Sequence, residues 1–206
     1  MYVLLTGPPG IGKSTVLDSF ANTFNHRDLS GILASEVRDE KGKRVGFKTT
    51  TYPQLTERTF AHKVCIDSLV KVGSYKVSIQ DLDESMEEAL QTQGSVFLLD
   101  EIGRMQSHSK VFINSAKKLF KEKPDMFVVG TIVYDDELFA RYFKYMKDVL
   151  IITVTEKNRN FLVLFLKLLF RMQIPRTKWC EFIEKVKPHL MAGNISHAMA
   201  LANLMR

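Results

Sequence analysis

The pattern of apolar and polar residues predicts a strand, a loop and a helix at the start of the chain. Residues 1–6 form a short apolar run that leads directly into a glycine-rich turn, and residues 14–24 place apolar side chains at helical spacing. Four shorter β-like runs follow, separated by turn signals, over 31–37, 44–50, 57–64 and 75–79. The charged stretch 39–44 lies between the first two of these runs and is therefore predicted to form a hairpin tip.

The pattern changes near residue 81, after which predicted helices alternate with buried strands. The helices are expected over 81–93, 107–121 and 136–146, and the strands over 95–99, 126–133 and 149–154. Such alternation predicts an α/β fold with a doubly wound, mostly parallel sheet that carries the β-hairpin region as an insertion. Further helices are expected at about 158–172, 177–186 and 195–205, punctuated by Pro175, Pro188 and Gly193.

Composition fits one compact domain in a reducing compartment. The chain has 206 residues, 45% of them hydrophobic, and can bury a core without disulfide or metal staples. Cys65 and Cys180 lie far apart and form no CxxC pair, which argues against a zinc site or a disulfide framework. The start of the chain has no signal-peptide pattern, and the apolar run 161–170 is shorter than the ~20 residues that span a bilayer. We therefore expect a cytoplasmic protein without a membrane partner.

Positive charge is concentrated in the last quarter of the chain. Residues 157–206 hold nine Lys or Arg and two Asp or Glu, for a net charge of +7, whereas the whole chain carries +6. Such a surplus of positive charge can bind a nucleic acid or another anionic partner. The basic residues are scattered and form no block, which favours a solvated helix face over a nucleic-acid site.

Residues 7–14 read GPPGIGKS, which matches the phosphate-loop pattern G-x-x-x-x-G-K-[ST] between a predicted strand and a predicted helix. In this motif, backbone N–H groups and the helix N-terminus present partial positive charge to phosphates. Lys13 can reach the β- and γ-phosphates as a binding and catalytic group, and Ser14 can offer its hydroxyl to Mg²⁺. The nucleotide-binding residues predicted here are Gly7, Pro8, Pro9, Gly10, Ile11, Gly12, Lys13, Ser14 and Thr15.

A second motif, VFLLDE over 96–101, supplies the acidic half of the predicted site. Asp100 ends a buried strand, where ligands bind in open α/β sheets, and suits a carboxylate that holds Mg²⁺ with Ser14. Glu101 is the candidate base for the water that attacks the γ-phosphorus. About 85 residues separate the two motifs and leave room for extra strands, which favours a RecA-like arrangement. The strand end and the turn after it are also assigned to nucleotide binding: Leu99, Ile102, Gly103 and Arg104.

Four arginines are candidates for contacting the triphosphate, because phosphoryl transfer leaves negative charge on its oxygens. Arg38 and Arg44 flank the predicted hairpin tip, Arg104 follows Glu101, and Arg159 follows the last predicted strand. Near Arg159, the amide of Asn158 can pair with either purine edge, and the guanine-reading pattern Asn-Lys-x-Asp is missing from the sequence. We therefore expect both ATP and GTP to be used.

Several segments over residues 1–160 resemble the small nucleoside-triphosphatase family that includes thermophile enzymes and the human cancer-related nucleoside-triphosphatase. They are GPPGIGKST, SEVRDEKGKRVGFK at 35–48, GSYKV at 73–77, LLDEIGRM at 98–105, and Thr-x-x-Asn-Arg at 155–159. The resemblance implies a phosphate-loop NTPase domain over 1–160, with slow, magnesium-dependent hydrolysis of ATP, GTP and other nucleoside triphosphates. Residues 161–206 are expected to form a helical extension packed on it. The family usually has Glu where this chain has Gln106, and a neutral amide cannot act as a base.

Two functions of other classes remain open from the sequence. One is a AAA+-like, nucleotide-gated binding module whose C-terminal helices form a lid, and the other is a small-molecule kinase. Lids of that kind place an arginine soon after Gly-Asn, where this chain has Ile195, Ser196 and His197. Phosphate release by the isolated chain, with neither partner nor acceptor added, separates these functions from hydrolysis.

Overall fold

The structure is a computed structural model and describes residues 1–122 and 126–204. Helices and strands alternate from α2 to α5, whereas the strands β2 to β6 and the helices α5 to α7 follow one another directly. The strands are β1 (Tyr2–Thr6), β2 (Leu29–Arg38), β3 (Arg44–Tyr52), β4 (Glu57–His62), β5 (Lys71–Val72), β6 (Tyr75–Val77), β7 (Val96–Ile102), β8 (Phe127–Ile132) and β9 (Val149–Thr153). The helices are α1 (Lys13–Ala21), α2 (Ile79–Leu90), α3 (Lys110–Glu122), α4 (Leu138–Lys144), α5 (Arg159–Met172), α6 (Arg176–Met191) and α7 (Ile195–Leu204).

All nine strands belong to one sheet with the order β5-β6-β4-β3-β2-β7-β8-β1-β9. The neighbours from β2 to β9 in that order pair in parallel, whereas β3, β4, β6 and β5 extend the sheet in antiparallel pairs. Strand β8 lies between β1, which precedes the phosphate loop, and β7, which carries Asp100. This additional strand is the RecA-like arrangement, so the predicted α/β fold with an inserted β-hairpin region is confirmed.

Most predicted elements are present, with two differences of physical interest. Strand β5 was not predicted, because two residues are too few to show an alternating pattern. Helix α6 continues through Pro188 to Met191, although a proline was expected to end it. Val186 and Leu190 are both buried on one face of this helix, and their packing favours the last turn despite the hydrogen bond that proline removes. Residue 205, predicted to be helical, lies outside the described residues.

Helices cover both faces of the sheet, so the core has two main layers. One layer packs α1 and the C-terminal helices against the strands, and the other packs α2, α3 and α4 on the opposite face. Helix α6 also covers the edge strand β9, where the indole N–H of Trp179 donates to the carbonyl oxygen of Asp148 at 2.8 Å. In the part of the chain that the structure describes, no helix combines the length and apolar character needed to cross a membrane.

The close approach of β2 to β7 predicts a large difference between two glycines. Gly31 and Gly42 both have positive φ, +107° and +74°, and alanine at either costs about 1–2 kcal/mol in backbone strain. A Cβ on Gly31 would also lie 2.0 Å from the carbonyl oxygen of Leu98, whereas a Cβ on Gly42 would meet nothing within 4 Å. Overpacking adds about 1–3 kcal/mol. We therefore expect Gly31→Ala to lower the free energy of unfolding in urea by about 2 kcal/mol more than Gly42→Ala; equal losses would contradict this packing.

Candidate active site

The phosphate loop occupies residues 7–12, between the end of β1 and the start of α1. Gly12 caps the helix with φ of 105°, and a Cβ on Gly7 would lie 2.9 Å from the carbonyl oxygen of Val154, so both positions suit glycine. The first N–H groups of α1 have no partner within the helix and favour an anion at this end. The Lys13 ammonium donates to the carbonyl oxygens of Gly7 at 2.9 Å and Pro8 at 3.3 Å, so it lies against the loop.

Asp100 is a buried carboxylate at the carboxyl end of β7. One oxygen, Oδ1, accepts a hydrogen bond from the hydroxyl of Thr131 on β8. The other, Oδ2, is also buried, and no described residue donates a hydrogen bond of normal geometry to it. Burial raises the pKa of Asp100, while the Thr131 and Ser14 hydroxyls lower it in part. An unsatisfied buried carboxylate oxygen next to a serine hydroxyl is a suitable ligand set for a hard cation.

The polar groups around Asp100 suit a divalent metal ion that takes part of its oxygen ligands from substrate and water. In residues 1–122 and 126–204, no group of three or more His, Cys, Asp or Glu side chains could hold a metal ion. Mg²⁺ commonly binds through one or two protein oxygens, substrate phosphates and water. Ser14 and Asp100 supply such protein oxygens beside the phosphate loop. Phosphate-loop NTPases generally use a divalent metal ion, and these two residues match that requirement.

Glu101 follows Asp100 through a cis peptide bond and is largely buried. Burial raises the pKa of its carboxyl, as does the charge of Asp100, whereas Lys13 lowers it. The side chain passes over Gly103, where an added Cβ would lie 3.0 Å from Glu101 Cδ and 3.0 Å from Gln106 Oε1. Gln106, the residue that departs from the family pattern, is buried. Because its side chain and that of Glu101 both lie against Gly103, Gln106 lies close to the candidate base.

These groups line one cleft of about 510 Å³. It contains Lys13 and Ser14 from the phosphate-loop region and Asp100 and Glu101 from the end of β7. Its other wall comes from α1 and from the hairpin strands β2 and β3. The cleft-lining residues that were not predicted are Asp18, Ala34, Ser35, Glu36 and Phe47.

One of these residues, Asp18, had a signal in the sequence. It lies four residues after Ser14 and therefore on the same face of α1. Burial raises the pKa of Asp18, and so does the nearby charge of Asp100. Thr131 was not predicted either, because only the pairing of β7 with β8 brings it to Asp100.

A second groove, of about 520 Å³, lies between α1 and α5. It shares Gly10, Gly12 and Thr15 with the first cleft, so the two cavities meet at the phosphate loop. The rest of its lining is Val16, Ser19, Arg159, Asn160 and Val163. The groove contains no carboxylate among the residues that the structure describes.

The four candidate arginines are in different places. Arg44 lines the first cleft and Arg159 lines the second groove, where its guanidinium lies 3.5 Å from the carbonyl oxygen of Ile11. Arg38 pairs with Glu36 at the side of the cleft without lining it. Arg104 points away and forms ion pairs with Asp135 at 2.7 Å and Glu137 at 2.8 Å.

Three residues that were predicted to contact the nucleotide lie away from the two cavities. The side chains of Leu99 and Ile102 are fully buried in the core layer of α3 and α4. They are three residues apart and still share this face, because the register of β7 against β8 shifts between them. Asn158 is also buried: its amide donates to the Thr153 carbonyl at 2.8 Å, and its oxygen accepts from the Thr155 N–H at 2.8 Å. Both ends of this amide are therefore engaged by the backbone, and the expectation that Asn158 pairs with a base is not supported.

Comparisons with known proteins agree with this architecture. The NTPase family profile matches residues 2–166. Nucleoside-triphosphatase THEP1 of Thermotoga sp. is 34% identical over 167 residues, covering 79% of this chain and 91% of that protein. The mouse cancer-related nucleoside-triphosphatase homolog is 30% identical over 177 residues, covering 79% and 92%.

A solved structure shows the same fold. The crystal structure of THEP1 from Aquifex aeolicus superposes with a TM-score of 0.70 at 26% sequence identity, covering 81% of this chain and 96% of that one. The solution structure of a human cancer-related nucleoside triphosphatase gives a TM-score of 0.65. The family match over most of the chain, with relatives at 30% identity or more, shows that this protein belongs to the NTPase family that includes THEP1.

Proposed function

We propose that this protein is a magnesium-dependent nucleoside triphosphatase that converts ATP, GTP and other nucleoside triphosphates to the diphosphate and inorganic phosphate. The observation that carries this proposal is the convergence of Lys13, Ser14, Asp100 and Glu101 in one cleft. Each of these residues has a separate task in phosphoryl transfer to water. The names of the relatives, which are nucleoside-triphosphatases, support the same reaction.

The phosphate loop positions the triphosphate in this proposal. Its backbone N–H groups and the N-terminus of α1 bind phosphate oxygens, and the Lys13 ammonium moves from the carbonyl oxygens it now contacts to the β- and γ-phosphates. Ser14 and Asp100 are the residues that would hold Mg²⁺. When bound, the ion neutralises charge that develops on the phosphate oxygens.

Glu101 is the proposed general base. A water held between Glu101 and the γ-phosphate attacks the phosphorus, the bond from phosphorus to the β–γ bridging oxygen breaks, and the water proton moves to the Glu101 carboxylate. Raised pKa values favour proton acceptance, and the largely buried position of Glu101 has this effect. Gly103 leaves room for this side chain, because an added Cβ would crowd Glu101 Cδ at 3.0 Å.

The second groove is the proposed place of the nucleoside. The γ-phosphate end must face Asp100 and Glu101, so the base and ribose extend across Gly10 and Gly12 into the groove between α1 and α5. Rejection of a wrong base needs a buried polar group that the wrong base leaves unpaired. The described lining offers the exposed side chains of Ser19, Arg159 and Asn160 instead. Broad use of bases follows.

The C-terminal helices are proposed to be an extension of the same packed unit. Helix α5 packs on α1, α6 covers β9, and the buried face of α7 joins the same core layer. The ten residues of α7 contain no arginine that could reach a γ-phosphate, which argues against the AAA+-like lid. Residues 161–206 are therefore assigned a stabilising role in this proposal.

The two cysteines support a reducing compartment. Cys65 and Cys180 are both exposed free thiols. Exposed thiols persist where the surroundings keep them reduced, as in the cytoplasm. We infer that the protein works in the cytoplasm.

Removal of the metal should abolish hydrolysis. Excess EDTA is expected to reduce phosphate release from ATP to background, and MgCl₂ should restore it, because the ion neutralises the developing charge. Asp100→Asn keeps the size of the side chain and should raise the Mg²⁺ concentration needed for half-maximal rate about tenfold or more. Turnover that is unchanged in excess chelator would contradict metal dependence.

Loss of the proposed base should separate chemistry from binding. Glu101→Gln is expected to bind ATP as the unsubstituted protein does and to lose ~10²-fold or more in kcat, the usual scale of general-base catalysis. Glu87→Gln, an exposed substitution on α2, is the matched control and should leave kcat unchanged. The rate is measured as phosphate release, and ATP affinity is measured by titration with a fluorescent ATP analogue. A Glu101→Gln variant with near-normal kcat would rule out this role.

The open nucleoside groove predicts weak discrimination among bases. In steady-state kinetics, ATP and GTP should have kcat/KM values within about tenfold of each other, with CTP and UTP also hydrolysed, because the polar side chains that line the groove in the described residues are exposed. A preference above ~10³ for one base would show that a reading group exists in or near the groove.

A further inference from the structure

A cluster of ion pairs on strands β2 and β3 forms the wall of the cleft that faces the phosphate loop. Glu36 accepts hydrogen bonds from Arg38 and, at 2.8 Å, from Nη1 of Arg44. Nε of Arg44 donates to the Tyr75 hydroxyl at 3.1 Å, and the guanidinium lies 5.1 Å from the centre of the Phe47 ring. Three groups, the Glu36 carboxylate, the Tyr75 hydroxyl and the Phe47 ring, therefore fix the position of Arg44 although the side chain is about half exposed.

The charges that line the cleft give Arg44 a particular importance. Among the described residues, Lys13 and Arg44 are the two cations in the lining, against the carboxylates of Asp18, Glu36, Asp100 and Glu101. Lys13 belongs to the phosphate-loop side, so Arg44 is the cation of the opposite wall. A triphosphate that enters between them meets no other positive side chain from the hairpin.

Arg44 also has donors to spare. A guanidinium carries five N–H groups, and Arg44 uses one at Nε for Tyr75 and one at Nη1 for Glu36. Its Nη2 makes no hydrogen bond to any residue in 1–122 or 126–204, whereas Arg38 uses Nη1 for the Gly42 carbonyl at 2.6 Å and Nη2 for Glu36. Arg38 thus secures the hairpin tip, and Arg44 can keep its anchors while it binds another anion.

We propose that Arg44 is the arginine that contacts the γ-phosphate as charge develops on it, and that Glu36 is a positioning residue that holds Arg44 at the cleft wall. This inference rests on the proposed hydrolysis of nucleoside triphosphates. Glu36 has a second consequence: its negative charge lies beside the incoming phosphates and opposes their binding before Arg44 engages them. The contact from Arg44 forms as charge develops and is therefore stronger in the transition state than in the bound ground state, which is how an interaction raises kcat.

The test compares binding of ADP with binding of ADP and aluminium fluoride, which imitates the transferring phosphoryl group. The unsubstituted protein with Mg²⁺ should bind ADP more tightly when aluminium fluoride is present. Arg44→Ala should keep ADP affinity within about threefold, lose most of that gain, and lose ~10²-fold or more in kcat. Arg44→Lys keeps the charge without the fork and should recover part of both losses.

Two other variants separate positioning from stability. Arg141→Ala removes an arginine of α4 that is as exposed as Arg44 and that pairs with Asp136 at 2.6 Å. This variant should leave kcat and the affinity gained with aluminium fluoride unchanged. Glu36→Gln should lower kcat about tenfold while ADP affinity stays the same or rises, since the opposing charge is gone. Damage to the fold alone would weaken the binding of ADP and the binding of ADP with aluminium fluoride to the same extent. Thermal unfolding of each variant is measured in parallel. If Arg44→Ala does not fold, Arg44→Lys must keep the ADP affinity while it loses part of the aluminium fluoride gain and part of kcat.

The outcomes are distinguishable. If the unsubstituted protein hydrolyses ATP and gains affinity with aluminium fluoride, and the Arg44 variants keep both properties, the assignment of Arg44 is wrong while the proposed function stands. A Glu36→Gln variant with normal kcat would overturn the role of Glu36. If the unsubstituted protein shows neither hydrolysis nor the gain, the proposed function itself fails and this inference fails with it.

Discussion

The constraint on which the site depends is the burial of the Asp100 carboxylate. Moving a carboxylate out of water is unfavourable unless hydrogen bonds or a cation compensate. Thr131 on the neighbouring strand compensates one oxygen, and Oδ2 remains without a partner among the described residues. Burial raises the pKa of Asp100 although the Lys13 charge lowers it in part, and a divalent ion beside the carboxylate would hold it ionised. In the proposed function, the Ser14 hydroxyl beside the end of β7 would share that ion with Asp100.

The order of the strands makes that arrangement possible. Because β8 lies between β1 and β7, it can place Thr131 next to Asp100 while the phosphate loop approaches from the end of β1. The insertion of β3 to β6 after β2 then adds a wall that a simpler parallel sheet would not have. Arg44 on β3 lies on that wall, and Glu36 near the end of β2 lies beside it, so the cleft receives polar groups from the hairpin region.

The phosphate loop divides the cavity space into two parts with different chemistry. The cleft toward β7 holds the carboxylates together with Lys13 and Arg44, whereas the groove toward α5 is lined by Arg159 and uncharged residues. Helix α5 forms one side of that groove, so in the proposed function this helix would contribute to nucleotide binding as well as to the core. Part of the basic surplus of this region is compensated from outside it, since Arg176 pairs with Asp148 at 3.5 Å.

The sequence by itself determined the features that depend on neighbours in the chain. The phosphate loop, the hairpin tip at 39–44 and the placement of Asp100 and Glu101 after a buried strand are local patterns of turn residues and hydrophobic spacing, and the structure has them where they were expected. Tertiary structure alone decided which distant side chains meet. Thr131 reaches Asp100 and Tyr75 reaches Arg44 from 31 residues away, Arg104 turns to Asp135, and the Asn158 amide is used by the backbone. Spacing along a chain reports which face a residue occupies, but strand order and register determine what that face contacts.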